Sequence, residues 1–300
     1  MLNRRQFLKT SSGALAFALP AFSFPGMLAL SLPAPGLQLF TYFNTLDGDT
    51  EGNLKQISVA GVKNIESAFS KKGDYYGMSA GKFSQLLKSL GMQWRSHHVF
   101  GAPFKLPPGA KDANGNPMTL PPIKNLKENL TEILDDAQAG GLQYLVAAHV
   151  PIGTKDEIKS SLDILNASAG PCKKAGIQLT YHNEPADFKD IDGETPYEVF
   201  LTQTDPSDLK FELDIAWAIK AGQKPEDLFK RYPDRFPLWH VKDFSKDFST
   251  ILPIGEGVWD YKKYFALAGQ SGLKYYFIEH EAAKDPTASI SESIRVIQNM

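Results

Sequence analysis

The chain contains six histidines, His97, His98, His149, His182, His240 and His280, and each falls in or just after the last residues of a short apolar run. Acidic residues behave the same way at Glu66, Glu184, Asp214, Glu279 and Glu281. An unpaired charge at the end of a buried segment is costly, and a metal ion or a tight ion network removes that cost. Asp214 closes Phe-Glu-Leu-Asp, His240 lies in Leu-Trp-His-Val-Lys-Asp, and Glu279 closes Tyr-Tyr-Phe-Ile-Glu. Each has a plain alternative: Asp214 as a helix N-cap, His240 as a hydrogen-bonded core histidine. Together they read as metal ligands. A fourth ligand comes from His182 or Glu184, which share a strand face; Glu184 is preferred, and the other would then hydrogen-bond substrate. Three carboxylates and one imidazole form a hard, oxygen-rich shell that favours Mn²⁺, with Mg²⁺, Co²⁺ or Zn²⁺ as alternatives. Such a shell supports proton abstraction beside a carbonyl.

Other residues fit around this set. Lys242 lies two positions beyond His240 and so on the same face; it either stabilises an enediolate oxygen or pairs with a carboxylate. Glu66, His98 and His149 are expected on the opposite half of the site, hydrogen-bonding substrate hydroxyls, although ion pairing suits Glu66 equally. Trp217 and Trp259 offer apolar faces for stacking on a sugar or for packing. Cys172 is the single cysteine, so no intrachain disulfide forms, and its surroundings suggest an inert, packed thiol.

The elements that must hold these residues alternate. Strands are expected at 37–43, 62–68, 92–98, 144–149, 177–183, 209–214, 237–242 and 275–279, as continuous apolar runs suited to burial on both faces. Helices are expected at 53–60, 79–90, 123–139, 155–174, 196–203, 225–231, 261–269 and 288–297, several ending at glycines such as Gly91, Gly176 and Gly272. Eight such units in one domain, residues 36–300, predict an α/β fold: a (β/α)8 TIM barrel with its site at the C-terminal ends of the strands. A doubly wound sheet is the runner-up, but the chain has no G-x-G-x-x-G turn. Residues 101–122 interrupt the alternation after the third strand and suit either a substrate-facing lid or a passive insertion.

Residues 1–35 differ from the rest. Arg4-Arg5-Gln6-Phe7-Leu8-Lys9 precedes an apolar run from Gly13 to Phe24, broken by Pro20 and too short to span a bilayer. This pattern predicts a twin-arginine-like signal peptide and a periplasmic protein with no stable membrane insertion after its removal. The net charge is −2 and no basic stripe exists, which argues against a nucleic-acid partner. A homo-oligomer is compatible with the composition.

The ordered set Tyr181-His182-Asn183, Asp205-Pro206, Phe211-Glu212-Leu213-Asp214 with Trp217 and Gly222, His240-Val241-Lys242-Asp243, Pro253-Ile254-Gly255-Glu256-Gly257 and Ile278-Glu279 resembles the sugar phosphate isomerase/epimerase family, within the xylose isomerase-like TIM barrel superfamily. The match is strong from about Gly176 to Glu281 and loose before it. The resemblance implies one divalent metal held after the fifth to eighth strands by glutamate, aspartate, histidine and glutamate, here Glu184, Asp214, His240 and Glu279. Glu184-Pro185 matches a glutamate that is often followed by proline. The resemblance also implies that Glu184 and Glu279 form the proton-transferring pair. Two departures stand out: many members carry a second histidine where Glu184 stands, and no phosphate-binding residues are recognisable.

The expected activity is therefore that of a metal-dependent isomerase or epimerase acting through an enediolate on a small carbohydrate. An exported enzyme meets free sugars, keto-sugars or glycosides rather than sugar phosphates. A 3-keto-glycoside lyase or hydrolase is the alternative on the same site. Rival classes are a phosphodiesterase or endonuclease of the same barrel superfamily and a non-catalytic sugar-binding barrel.

Overall fold

The computed structural model describes residues 32–300 apart from 105, 107–108, 112–114, 118–119 and 282. The expected signal peptide lies almost wholly outside the described residues, as does part of the 101–122 loop. The strands are β1 (Gly36–Gln38), β2 (Asn64–Ser67), β3 (Gln93–Phe100), β4 (Tyr144–His149), β5 (Gln178–His182), β6 (Leu209–Asp214), β7 (Leu238–Val241), β8 (Asp243–Phe244), β9 (Ile251–Leu252) and β10 (Tyr275–Ile278). Strands β1 to β7 and β10 close into an eight-stranded parallel barrel in the order β1-β10-β7-β6-β5-β4-β3-β2. The helices are α1 (Thr50–Val59), α2 (Ala80–Ser89), α3 (Leu126–Gly140), α4 (Lys155–Lys174), α5 (Pro196–Gln203), α6 (Ile215–Lys220), α7 (Pro225–Arg231), α8 (Tyr261–Phe265), α9 (Ala268–Ser271) and α10 (Pro286–Gln298). The chain is a single TIM barrel domain, as the alternation of runs predicts.

Three differences from the sequence expectation concern the mouth. The first strand stops at Gln38 and turns into a 3₁₀ helix, Leu39–Tyr42, in which the Gln38 side chain accepts from the Phe40 amide. Asp214 opens an additional short helix, α6, that the apolar run Ile-Ala-Trp-Ala-Ile had concealed. After β7, β8 and β9 form a small antiparallel pair on the rim. Asp243, fully buried, anchors this rim by accepting from the amides of Phe244, Gly255, Gly257 and Trp259. Gly257 approaches so closely that a Cβ there would lie 2.1 Å from Asp243 Oδ1, so only glycine fits.

Register decides what faces what inside the barrel. Side chains alternate along each strand, so residues two apart share a face. At the bottom an apolar plug forms from Val146, Leu238 and Phe277. Above it, Gln38 pairs with Glu66 and Glu66 with Ser96 across β1–β2–β3. His182 pairs with Glu212, and Asp214 with His240, across β5–β6–β7. The barrel interior thus passes from apolar to polar toward the C-terminal end. The outer faces pack beneath the helices, with Tyr181, Phe200 and Phe211 in edge contacts. Cys172 is buried in this layer, and burial pushes its thiol up to about 12. No helix among the described residues is long and apolar enough to cross a membrane.

His97 points away from the axis and makes a pH prediction. Trp94 Nε1–H donates to Ser67 Oγ at 2.7 Å, so the Ser67 hydroxyl is free to donate to His97 Nδ1 at 2.8 Å. That arrangement requires a neutral ring, and burial together with the His98 charge pushes His97 down to about 4. The folded value lies below the unfolded one. Its contribution is therefore complete above pH 6.5 and is lost as pH falls from there toward 4. The loss is on the order of 2–3 kcal/mol, reduced where solvent reaches the ring. Urea unfolding across this range should show the decline in the wild type and a flatter profile in His97→Phe; parallel profiles would refute it.

Candidate metal and proton-transfer site

Asp214, His240 and Glu279 offer donor atoms that all lie within 4.8 Å of one another at the barrel mouth, and all three residues are buried. Asp214 does two jobs. Its Oδ1 accepts from the Trp217 amide at 2.8 Å and caps α6. Its Oδ2 turns to the axis, 2.9 Å from Lys242 Nζ but outside hydrogen-bond geometry, and has no hydrogen-bond partner. His240 Nδ1 lies 3.1 Å from Glu279 Oε2 and 3.9 Å from Asp214 Oδ2. Lys242, fully buried, places Nζ 2.5 Å from Glu279 Oε2 and 2.6 Å from Glu281 Oε1. Burial alone would depress the lysine, but Asp214, Glu279 and Glu281 more than offset it and hold the ammonium well above its ordinary value. Burial likewise opposes the Glu279 charge, yet Lys242 and His240 keep that carboxyl well below the usual range.

A second group lies deeper. His98, His182, Glu212 and His240 also present donors within 4.8 Å of one another. Glu212 Oε2 receives His98 Nε2 and His182 Nδ1, both at 2.9 Å, and His240 Nε2 lies at 3.2 Å. Burial, with the neighbouring Glu66 charge, pushes Glu212 up to about 7. Burial opposes a charge on His98 too, but Glu66 and Glu212 outweigh it and raise the ring to about 9. His240 belongs to both groups, one ring nitrogen facing each.

The remaining sequence candidates distribute unevenly. Glu184 stands at the rim with its side chain 51% exposed, 3.9 Å from His182 Nε2, outside the Asp214–His240–Glu279 set. Burial of its carboxyl, with Asp214, Glu279 and Glu281 nearby and only Lys242 opposing, pushes it up to about 8. His182 turns Nδ1 inward to Glu212. Glu66, expected at the mouth, lies instead fully buried behind His240. His149 is exposed at the end of β4 between the rings of Phe100 and Phe104. Trp217 packs against Phe244 with the rings tilted at 55°, and Lys242 Nζ lies 4.8 Å from its ring centre. His98 borders a cavity of about 460 Å³ lined also by Tyr75, Lys124 and Asp136, and by Pro121 and Pro122 at the end of the 101–122 loop. His280 bonds Ser289.

Sequence reasoning missed Glu212 as a site residue, although it sits two before Asp214 and therefore on the same inward face. It also left Glu281 unassigned; only the bend after β10 brings that carboxylate back to Lys242.

The parallel barrel thus brings acids and a histidine together at its C-terminal mouth, a donor set that could hold a metal ion. The chain belongs to the xylose isomerase-like TIM barrel family, whose model matches residues 54–300. A sugar phosphate isomerase/epimerase structure from Parabacteroides distasonis ATCC 8503 is similar over 89% of this chain and 98% of its own, at 25% identity and a TM-score of 0.71. An inosose dehydratase from Lacticaseibacillus casei is 26% identical over 153 residues, 45% of this chain and 50% of that protein, so the match spans half the relative's length. A xylose isomerase-like TIM barrel protein from Mycobacterium smegmatis, in complex with magnesium, shares the fold over 90% of this chain and 96% of its own at 14% identity and a TM-score of 0.62.

Proposed function

We propose that the protein is a divalent-metal-dependent isomerase or epimerase of a small carbohydrate, working by proton abstraction next to a carbonyl. The observation that carries this reading is the convergence of Asp214, His240 and Glu279 at the mouth, with an ionisable Asp214 oxygen buried and bonded to no donor. That donor set fits a divalent ion, and Mn²⁺ is favoured because two of the three ligands are carboxylates. When bound, the ion supplies Lewis acidity at the substrate's carbonyl and adjoining hydroxyl.

The chain's own residues do the rest. Glu279, kept ionised by Lys242 and His240, takes the proton from the carbon beside the carbonyl. Lys242 directs its ammonium at the oxygen that gains charge and donates to it. Glu184, whose carboxyl is pushed up to about 8 and therefore carries a proton at neutral pH, returns one: to the opposite face of the same carbon for epimerisation, or to the neighbouring carbon for isomerisation. Trp217 and His149 bind and orient the sugar at the rim, and His182, buried below them, reaches it through Nε2. Export, read from residues 1–35, favours a free keto-sugar or glycoside as substrate.

A second reading follows from the similarity to inosose dehydratase. The same first step, followed by loss of a group from the β-carbon, makes the enzyme a keto-sugar or 3-keto-glycoside lyase.

Elemental analysis of the purified protein, with nuclear magnetic resonance of keto-sugars and 3-keto-glycosides in D₂O, tests both. One divalent ion per chain and deuterium entering at the carbon beside the carbonyl are expected. Glu184→Gln and Glu279→Gln should slow that exchange by roughly 10²–10⁴-fold. Exchange with a rearranged sugar supports the isomerase; exchange with release of water or aglycone supports the lyase. No ion and no exchange would overturn the proposal.

A further inference from the structure

The polar layer beneath the mouth is larger than the chemistry above requires. Glu66 is fully buried and lies behind His240, out of reach of the mouth. It is held from three sides. Gln38 Nε2 donates to Oε1 at 2.8 Å, Ser96 Oγ donates to Oε2 at 2.5 Å, and His98 Nε2 lies 3.0 Å from Oε1. The backbone register that places Gln38 beside Glu66 and Glu66 beside Ser96 builds these contacts into the barrel itself.

Glu66 Oε1 also lies 2.6 Å from His240 Nε2, and Glu212 Oε2 lies 3.2 Å from the same nitrogen. A carboxylate oxygen accepts hydrogen bonds and does not donate them, so the nitrogen facing it carries the hydrogen. With no cation bound, Nδ1 likewise donates to Glu279 Oε2 at 3.1 Å and lies 3.9 Å from Asp214 Oδ2, so each ring nitrogen carries a hydrogen, and the one on Nδ1 is what a cation would displace while Glu66 retains the one on Nε2. The ring cannot easily rotate out of this setting. His98 stacks on it at 5.3 Å and 5°, and Phe277 meets it edge-on from below at 6.4 Å.

We propose that Glu66, supported by Glu212, is a positioning residue for His240: its buried carboxylate keeps the ring proton on Nε2 and so presents the Nδ1 lone pair to the cation site. The inference rests on the reading of Asp214, His240 and Glu279 as cation ligands. It assigns Glu66 a role apart from substrate binding. A ligating histidine whose second nitrogen is held by a carboxylate binds more tightly, because its tautomer and orientation are settled in advance and its basicity is raised.

The test is a titration of Zn²⁺ and Mn²⁺ against a competing chelator, with ¹⁵N–¹H spectra of histidine-labelled protein, for wild type, Glu66→Gln and Ser96→Ala. Glu66→Gln should raise the Kd by roughly 10–100-fold. The unloaded wild-type spectra should show a hydrogen on both His240 nitrogens, and loading should remove the one on Nδ1 and leave the one on Nε2. Ser96→Ala frees only one Glu66 oxygen and should raise the Kd by a few-fold; it carries the affinity test if Glu66→Gln fails to fold. A Kd within twofold of wild type in the folded variants, or a loaded His240 protonated on Nδ1, would overturn the proposal. So would a second bound equivalent that disappears in Glu212→Gln, since the deeper cluster would then itself hold a cation. Should the wild type bind no divalent ion, the functional reading fails by itself. The spectra then still decide the positioning role: a proton on Nε2 that Glu66→Gln redistributes supports it, and an unchanged ring overturns it.

Discussion

Asp214→Asn is expected to lower divalent-ion affinity by a factor on the order of 10³, ~4 kcal/mol at 1.4 kcal/mol per decade, while stability stays within about 1 kcal/mol of wild type. The two effects separate because the two oxygens of this side chain work apart. Oδ1 caps α6 through the Trp217 amide, and asparagine caps a helix as well as aspartate does. The backbone is pinned independently: the Asp214 amide donates to Asn183 Oδ1 at 3.0 Å, and Asn183 Nδ2 donates to the Asp214 carbonyl at 3.3 Å. What asparagine removes is the charge on the axis-facing oxygen. Asp214→Ala removes the cap too and should cost about 1 kcal/mol of stability in addition. Chelator competition and urea unfolding read the two quantities separately. Stoichiometric ion at wild-type affinity in Asp214→Asn would remove this residue from the ligand set.

Lys242→Met should be the most destabilising single change at the mouth. Methionine replaces the lysine stem at similar volume, so packing against Trp217 survives, but the ammonium no longer separates Asp214, Glu279 and Glu281. Removing one partner of a buried ionic cluster costs roughly 3–5 kcal/mol, because the remaining charges are left uncompensated. The sign of the pH dependence follows. In the wild type Lys242 and His240 outweigh burial and hold Glu279 below its ordinary value of 4.5, so that pairing stabilises the fold at neutral pH and is lost as pH falls into the acid range. In the variant the lost cation leaves the carboxyls pushed upward, and they relieve their repulsion by taking up protons. The destabilisation should therefore be larger at pH 8 than at pH 5, measured by urea unfolding in the presence of chelator. An equal loss at both values would mean that the lysine acts by packing rather than by charge.

The periodicity of apolar runs carried most of the architecture. β4, β6, α4, α5 and α7 coincide with the expected spans, because their ends are set by local signals: the Thr154 cap of α4, prolines at the first turns of α5 and α7, and the Asp205-Pro206 turn before β6. Short α6 escaped because an apolar run of that length reads equally as strand or helix, and only the Asp214 cap decides it. At the site, residue type and position were enough to expect Asp214, His240, Glu279 and Lys242 close together at the mouth, as the barrel places them, since a charge that ends a buried strand needs a partner wherever the strand lies.

Depth was a different matter. Glu66 and Glu184 each end an apolar run and look alike in sequence, yet one is sealed inside the barrel and the other half-exposed at its rim. The sequence by itself determined which residues carry the charge and on which face of each strand they lie. Only the closed barrel decided their height along the axis and their partners across it. Those depend on the stagger between neighbouring strands, including the register shift between Ile65 and Glu66, and stagger is a property of eight strands meeting rather than of any one of them.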